Sequence, residues 1–294
     1  MDILLSPQFL VAALVLSAIY ALIALGLNLI YGTMRLLNVA HGEIMMLAGY
    51  VSYWAFVRLG IGPLISMIAA MAITAVLGAL CYLTIFKAIL RNRQLAARLE
   101  SNSLLIFFGI SIIVQNVLSL AFSADPRSYP YLDTVVPVLG ARVELNRLVV
   151  LAVGAGATVL CILFFRYHRL GLAIRALIQQ RDAASLVGID ADKINLLVFC
   201  LGFAMAGLAG SLIGMTSAIS PFGGFPYTIS AFIVIILGGL GNLLGGLFGA
   251  ALLAFVEIYG VAVTSSAYRS VLLYGVFIFV LLIRPQGLVG RRAV

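Results

Sequence analysis

The chain has 294 residues, 64% of them hydrophobic and only 10% charged, with a formal net charge of +8. A soluble domain is about half apolar and about a quarter charged, and a larger core cannot absorb this excess, so the solvent that fits is lipid. The basic residues fall in short gaps between apolar runs instead of a stripe or tail, which argues against nucleic-acid binding.

A membrane-spanning helix needs roughly 20 mostly apolar residues. The first run, 9–30, follows a start with no basic region and is long for a signal core, so it is expected to be a retained span. Asn28 sits near its inner end. Residues 31–43 then interrupt the apolar pattern with Asn38, His41 and Glu43. His41 and Glu43 lie two apart, on different sides of a helix, so they are not a zinc pair. Two readings stand: a satisfied helix start near the membrane surface, or a contact at the cytoplasmic mouth of a path. Further runs follow at 36–57, 63–86 and 104–122, the last with Gln115 and Asn116 in mid-span. The segment 123–147 balances three acidic against three basic residues, carries three prolines, and is expected to be an ordered external loop. The next runs are 148–165 and 194–218.

Between them lies the polar loop 166–193. Read as one helix from about Leu172, it places Ala173, Leu177, Gln180, Ala184 and Val187 on one side and Arg175, Gln179 and Asp182 on another. Gly188 follows the last turn, where a left-handed cap suits glycine. The small residues Ala173, Ala176, Ala183 and Ala184 allow close approach. Such a helix can dock into a groove of a soluble partner or lie on the lipid headgroups.

Past Pro226 the pattern changes. The run 228–240 is short, and Gly238-Gly239 mark an expected helix break before 243–263. Small residues recur every fourth position at Gly202, Ala206, Gly210 and Gly214, and again at Gly241, Gly245 and Gly249, which favours close helix packing in lipid. Broken spans can also line a substrate path. Glu257 is an intramembrane carboxylate, expected to face the bundle interior or bond a neighbouring helix. The last run is 271–283. Cys81, Cys161 and Cys200 lie singly within apolar runs, and no metal spacing occurs. The expected fold is all-α: one polytopic domain over 1–294, with eight or nine membrane segments, one of them broken by glycine. With the N-terminus outside and nine alternating segments, thirteen of the 18 Lys and Arg residues face the cytoplasm and five face outward. This favours a cytoplasmic C-terminal tail, 284–294.

Several motifs carry a resemblance. Ala24-Leu25-Gly26-Leu27-Asn28-Leu29-Ile30-Tyr31-Gly32, then Leu37-Asn38-Val39-Ala40-His41-Gly42-Glu43, resembles the opening of branched-chain amino acid ABC permeases. So do Arg175-Ala176 with Asp182 to Ile189, the stretch 201–210, Leu237-Gly238-Gly239-Leu240-Gly241-Asn242, and Arg284-Pro285-Gln286-Gly287-Leu288. Together they run from about residue 15 to 290 in the family's order, and the chain looks like the shorter of its two permease types. One departure is local: the family pattern has a basic residue near Ser230.

The resemblance implies an import permease of the bacterial inner membrane, with Arg175, Ala176, Gln179, Asp182, Ala183, Gly188 and Ile189 contacting the ATPases. Candidate path residues are Asn28, Asn38, His41, Glu43, Gln115, Asn116, Gly238, Gly239 and Glu257. The implied partners are two cytoplasmic ATPase subunits, a second related permease and a periplasmic or lipid-anchored binding protein. No phosphate-binding lysine loop exists here, so ATP and magnesium belong on other chains. Rival readings are the same architecture moving urea or short amides, an ion-coupled transporter, and a membrane enzyme; the last lacks a nucleophile–base or zinc constellation.

Overall fold

The computed structural model describes residues 6–96, 98–138, 140–284 and 286–288. Helix α1 (Pro7–Met34) opens on a proline at its first turn and ends at Arg35 in the left-handed region. A loop leads to α2 (His41–Leu59), closed by Gly60, also left-handed. Helix α3 (Pro63–Cys81) passes through one π-helical turn (Tyr82–Phe86) into α4 (Lys87–Arg91). A single turn, α5 (Arg93–Ala96), precedes α6 (Leu99–Phe122).

The segment that follows is ordered, as expected, but it is not helical. Strands β1 (Val135–Val138) and β2 (Ala141–Glu144) form an antiparallel hairpin with Val135 opposite Glu144. Arg127 and Ile219 exchange backbone hydrogen bonds of 2.8 Å in both directions, tying this segment to the far end of the chain's later helices.

Helix α7 (Leu145–Tyr167) crosses from the hairpin to the polar loop. That loop holds two helices, not one. Helix α8 (Arg169–Gln179) stops at Gln180, whose backbone is extended, and α9 (Arg181–Leu186) restarts. Of the face expected to meet a partner or the headgroups, Leu177 and Ala184 are buried within the chain itself, while Gln180 and Val187 face outward, because the break rotates the second helix off the common face. Gly188 does adopt φ +84°.

Asp190 caps α10 (Ala191–Thr216) by accepting from the Lys193 amide at 3.2 Å. Helices α11 (Gly224–Gly238) and α12 (Leu243–Val263) follow, then a 3-10 turn (Ser266–Tyr268) and α13 (Arg269–Ile283). Among the described residues, seven helices are long and apolar enough to cross a membrane. The shorter apolar helix α11, of 15 residues, and the 19-residue α2 pack with them. Of the tail 284–294, residues 285 and 289–294 lie outside the described residues.

Helices α1 and α10 form the inner pair: 72% of the most apolar window of each is buried. Glycine sets their spacing. A methyl at Gly202 would come within 2.9 Å of the Gly26 carbonyl, and one at Gly26 within 2.8 Å of the Gly202 carbonyl. Both small-residue rows therefore serve backbone-to-backbone packing, with Gly210 against Met45 of α2 and Gly249 against Val234 of α11. The outer helices instead expose apolar side chains, among them Leu120, Leu160 and Leu282 at 88%, 71% and 79%. Water would not tolerate that surface, and hydrocarbon does.

Candidate functional site: a glycine break beneath the polar loop

The expected break lies between α11 and α12. Gly239 and Gly241 take φ +97° and +78°, which side chains rarely adopt, and the backbone unwinds over four residues. Unwound backbone at membrane depth must be satisfied by protein. Asn28 does this. Its Oδ1 accepts from the Gly241 amide at 2.9 Å, and its Nδ2 donates to the Asn242 carbonyl at 3.1 Å. Asn242 in turn caps α12, accepting from the Gly245 amide at 3.0 Å. The Leu288 amide donates to the Leu237 carbonyl at 2.7 Å, so the chain's last described residues close the end of α11.

Helix α8 rests on this break. Ile178 packs over Gly32 of α1, whose α-carbon also faces Gly241: a methyl at Gly32 would meet Ile178 at 3.2 Å and the Gly241 α-carbon at 3.4 Å. A cavity of about 760 Å³ opens beside the joint. Leu25, Ile162, Ile236 and Leu244 give it apolar walls; Arg166, Arg175, Gln179, Asn242 and Gln286 give it a polar rim. Arg175 donates to the Arg166 carbonyl at 3.3 Å. Four stretches far apart in sequence thus meet at one point. Of the candidates, Arg175, Gln179 and Gly239 line the cavity, Asn28 bonds the unwound backbone at Gly241 and Asn242, and Gly238 packs against Gly245. Asp182, Ala183 and Gly188 are exposed and Ile189 half-buried, all beyond the break in the loop.

The second polar group sits deeper. Asn38, His41 and Glu43 are fully buried where α2 begins. The loop before α2 turns back against α1 and sets His41 beside Gly26. Here two helix starts abut. The Gly42 amide donates to Thr228 Oγ1 at 2.8 Å, and Gly42 and Gly224 meet backbone to backbone. Neither polar atom of the Asn38 amide has a hydrogen-bond partner, and the His41 ring approaches the Ile23 backbone. Glu43 Oε1 accepts from Gln115 Nε2 of α6 at 2.9 Å, and the Ser111 hydroxyl also donates to the carboxylate. Asn116 is exposed and bonds its own helix at Ile112.

Glu257 is the third. It pairs with Arg269 at the start of α13 and accepts from the Tyr20 hydroxyl at 2.6 Å, and the Ser230 hydroxyl lies 3.4 Å from Tyr20. The carboxylate bonds neighbouring helices, one of the two outcomes expected for it.

Sequence reasoning missed Arg166, Ile178, Asn242 and Gln286 as partners in the joint, and Tyr20 and Arg269 as partners of Glu257. Asn242 alone carried a readable signal, a capping residue just before an apolar run. No group of three or more His, Cys, Asp or Glu side chains suited to a metal occurs among the described residues.

The family model for the branched-chain amino acid transport system / permease component matches residues 9–281. The chain belongs to this permease family. It is 33% identical over 291 residues to the high-affinity branched-chain amino acid transport system permease protein LivH of Escherichia coli (strain K12), covering 94% of this chain and 92% of that one. It is 32% identical over 298 residues to the corresponding BraD protein of Pseudomonas aeruginosa, covering 97% and 95%. A probable LivH of Methanocaldococcus jannaschii is 28% identical over 289 residues, covering 95% and 90%. No solved structure matches the chain. This permease-family member is thus a multi-pass membrane protein, and its relatives are transport subunits.

Proposed function

We propose that the chain is the membrane permease subunit of an ATP-driven importer carrying branched-chain amino acids, or close relatives, into the cytoplasm. The observation that carries this reading is the joint between α8 and the glycine break. A polar surface helix keyed by Ile178 into a notch at an unwound segment is a lever on the part of the bundle least able to resist it. Two cytoplasmic ATPases, holding ATP and magnesium, grip α8 and α9 through Arg175, Ala176, Gln179, Asp182, Ala183, Gly188 and Ile189. A binding protein delivers cargo on the hairpin side. The N-terminus lies outside and the tail in the cytoplasm of a bacterial inner membrane.

A second related permease covers α6. That helix packs chiefly on α2 and presents Asn116 and half-buried Gln115 amid exposed apolar side chains. Polar groups at this depth face protein or a wet path in preference to hydrocarbon. The path candidates on this side are Asn38, His41, Glu43, Gln115 and Asn116; Gly238 and Gly239 lie nearer the lever.

The test is purification of the tagged chain with its neighbouring gene products, then uptake of labelled leucine into proteoliposomes. The expected result is a complex with two ATPases and a second permease, and uptake that requires ATP and survives collapse of the proton gradient. Uptake that needs the gradient and no ATP sinks the proposal.

A further inference from the structure

Two carboxylates lie within this membrane bundle, and the chain treats them differently. Glu257 is neutralised internally by Arg269 and Tyr20. Glu43 is fully buried, yet among the described residues no lysine, arginine or histidine pairs with it. A buried carboxylate without a compensating cation is costly and is retained where it is used.

Its surroundings say which way it is used. Glu43 faces α6, where Gln115 donates to Oε1 and the Ser111 hydroxyl also donates to the carboxylate, two neutral donors that leave its charge without a cation. Gln115 is half-buried, so a single side chain separates Glu43 from the open face of α6. Asn116 continues the polar strip on that face. At about 1.5 Å per residue, Gln115 lies about 10 Å in from the Phe122 end of the helix, within the hydrocarbon depth. The atoms on offer are acceptors: the Glu43 carboxylate, the Gln115 amide oxygen and the Ser111 hydroxyl oxygen. A compact cation with three N–H donors is their complement, and a primary ammonium is such a group.

We propose that Glu43, with Gln115 and Ser111, forms a subsite for the α-ammonium group of the amino-acid cargo, reached across the face of α6. The inference rests on the import-permease reading. The subsite holds one end of the zwitterion while the aliphatic side chain stays on apolar surface, so passage does not require the ammonium group to be stripped of all partners.

The experiment uses the whole reconstituted importer with saturating cargo-loaded binding protein, measuring uptake and ATP hydrolysis together. Glu43→Gln keeps the shape and removes the charge. It is expected to lower uptake about tenfold with ATP hydrolysis unchanged, and Glu43→Asp to restore part of the loss. Uptake by Glu43→Gln equal to the unsubstituted complex overturns the subsite. An unsubstituted complex that shows no ATP-driven uptake overturns the importer reading itself, which separates the two failures. Should Glu43→Gln not assemble, Ser111→Cys is placed in a background carrying Cys81→Ala, Cys161→Ala and Cys200→Ala. An ammonium-bearing thiol reagent is then expected to react about tenfold faster than a sulfonate-bearing one, and cargo to slow it. Equal rates for the two reagents overturn the proposal.

Discussion

Asn28 shows how one side chain can hold a fold open at a chosen place. It supplies a donor and an acceptor to backbone that no helix satisfies. Asn28→Leu should leave both groups orphaned and lower stability by about 2–4 kcal/mol, seen as a lower thermal midpoint in detergent. Arg269 is a second case. Removing it with Arg269→Ala strands Glu257, but the guanidinium is half exposed, so the cost should be about 1–3 kcal/mol, less than for a fully buried pair. Arg269→Ala combined with Glu257→Gln should recover much of that loss in the same melt. The same cluster takes in Ser230 of α11 through the Tyr20 hydroxyl. Arg269 was not legible as the partner of Glu257 because it lies on the following helix, beyond the turn Ser266–Tyr268. Among the described residues outside the spans, the Asp190 carboxyl is lowered, held down first by its bond from the Lys193 amide. A carboxyl depressed in the folded state contributes above its unfolded range, so the α10 cap should be intact at neutral pH and released as pH falls through the folded value, visible as a lower protection factor for the Lys193 amide.

The glycine break and the polar loop form the working pair of elements. The break was readable because Gly238-Gly239 end a run too short to span, and only glycine suits the backbone that follows. The split between α8 and α9 was not readable. Residues 172–187 keep a helical period throughout, and the extended backbone at Gln180 is imposed by packing, with Leu177 and Ala184 each seated against the bundle. Gly241→Ala must force a side chain into φ +78° and should cost about 1–2 kcal/mol. Ile178→Ala leaves the backbone alone and empties the notch. Both variants should keep ATP hydrolysis while lowering cargo moved per ATP; hydrolysis and uptake falling in parallel would speak against the lever.

The whole molecule sorts into an inner pair, α1 and α10, and outer helices that keep their apolar faces outward. Composition and run length made this bundle legible, since both follow directly from hydrocarbon as solvent. The hairpin and its backbone bridge to Ile219 were not, because four-residue strands leave too little period to detect. Orientation is checked on this scale: Arg175→Cys should react with an impermeant thiol reagent only in inverted vesicles.

The meeting of Gly42 with Gly224 has one more consequence. Two spiral ends touch there through main chain, with the Thr228 hydroxyl accepting one bond across the contact, so parting them breaks a single side-chain hydrogen bond. Sealing is then a matter of shape, and a single added methyl on either side acts as a wedge. A Gly224→Ala protein that still assembles would be a natural starting point for trapping this transporter ajar.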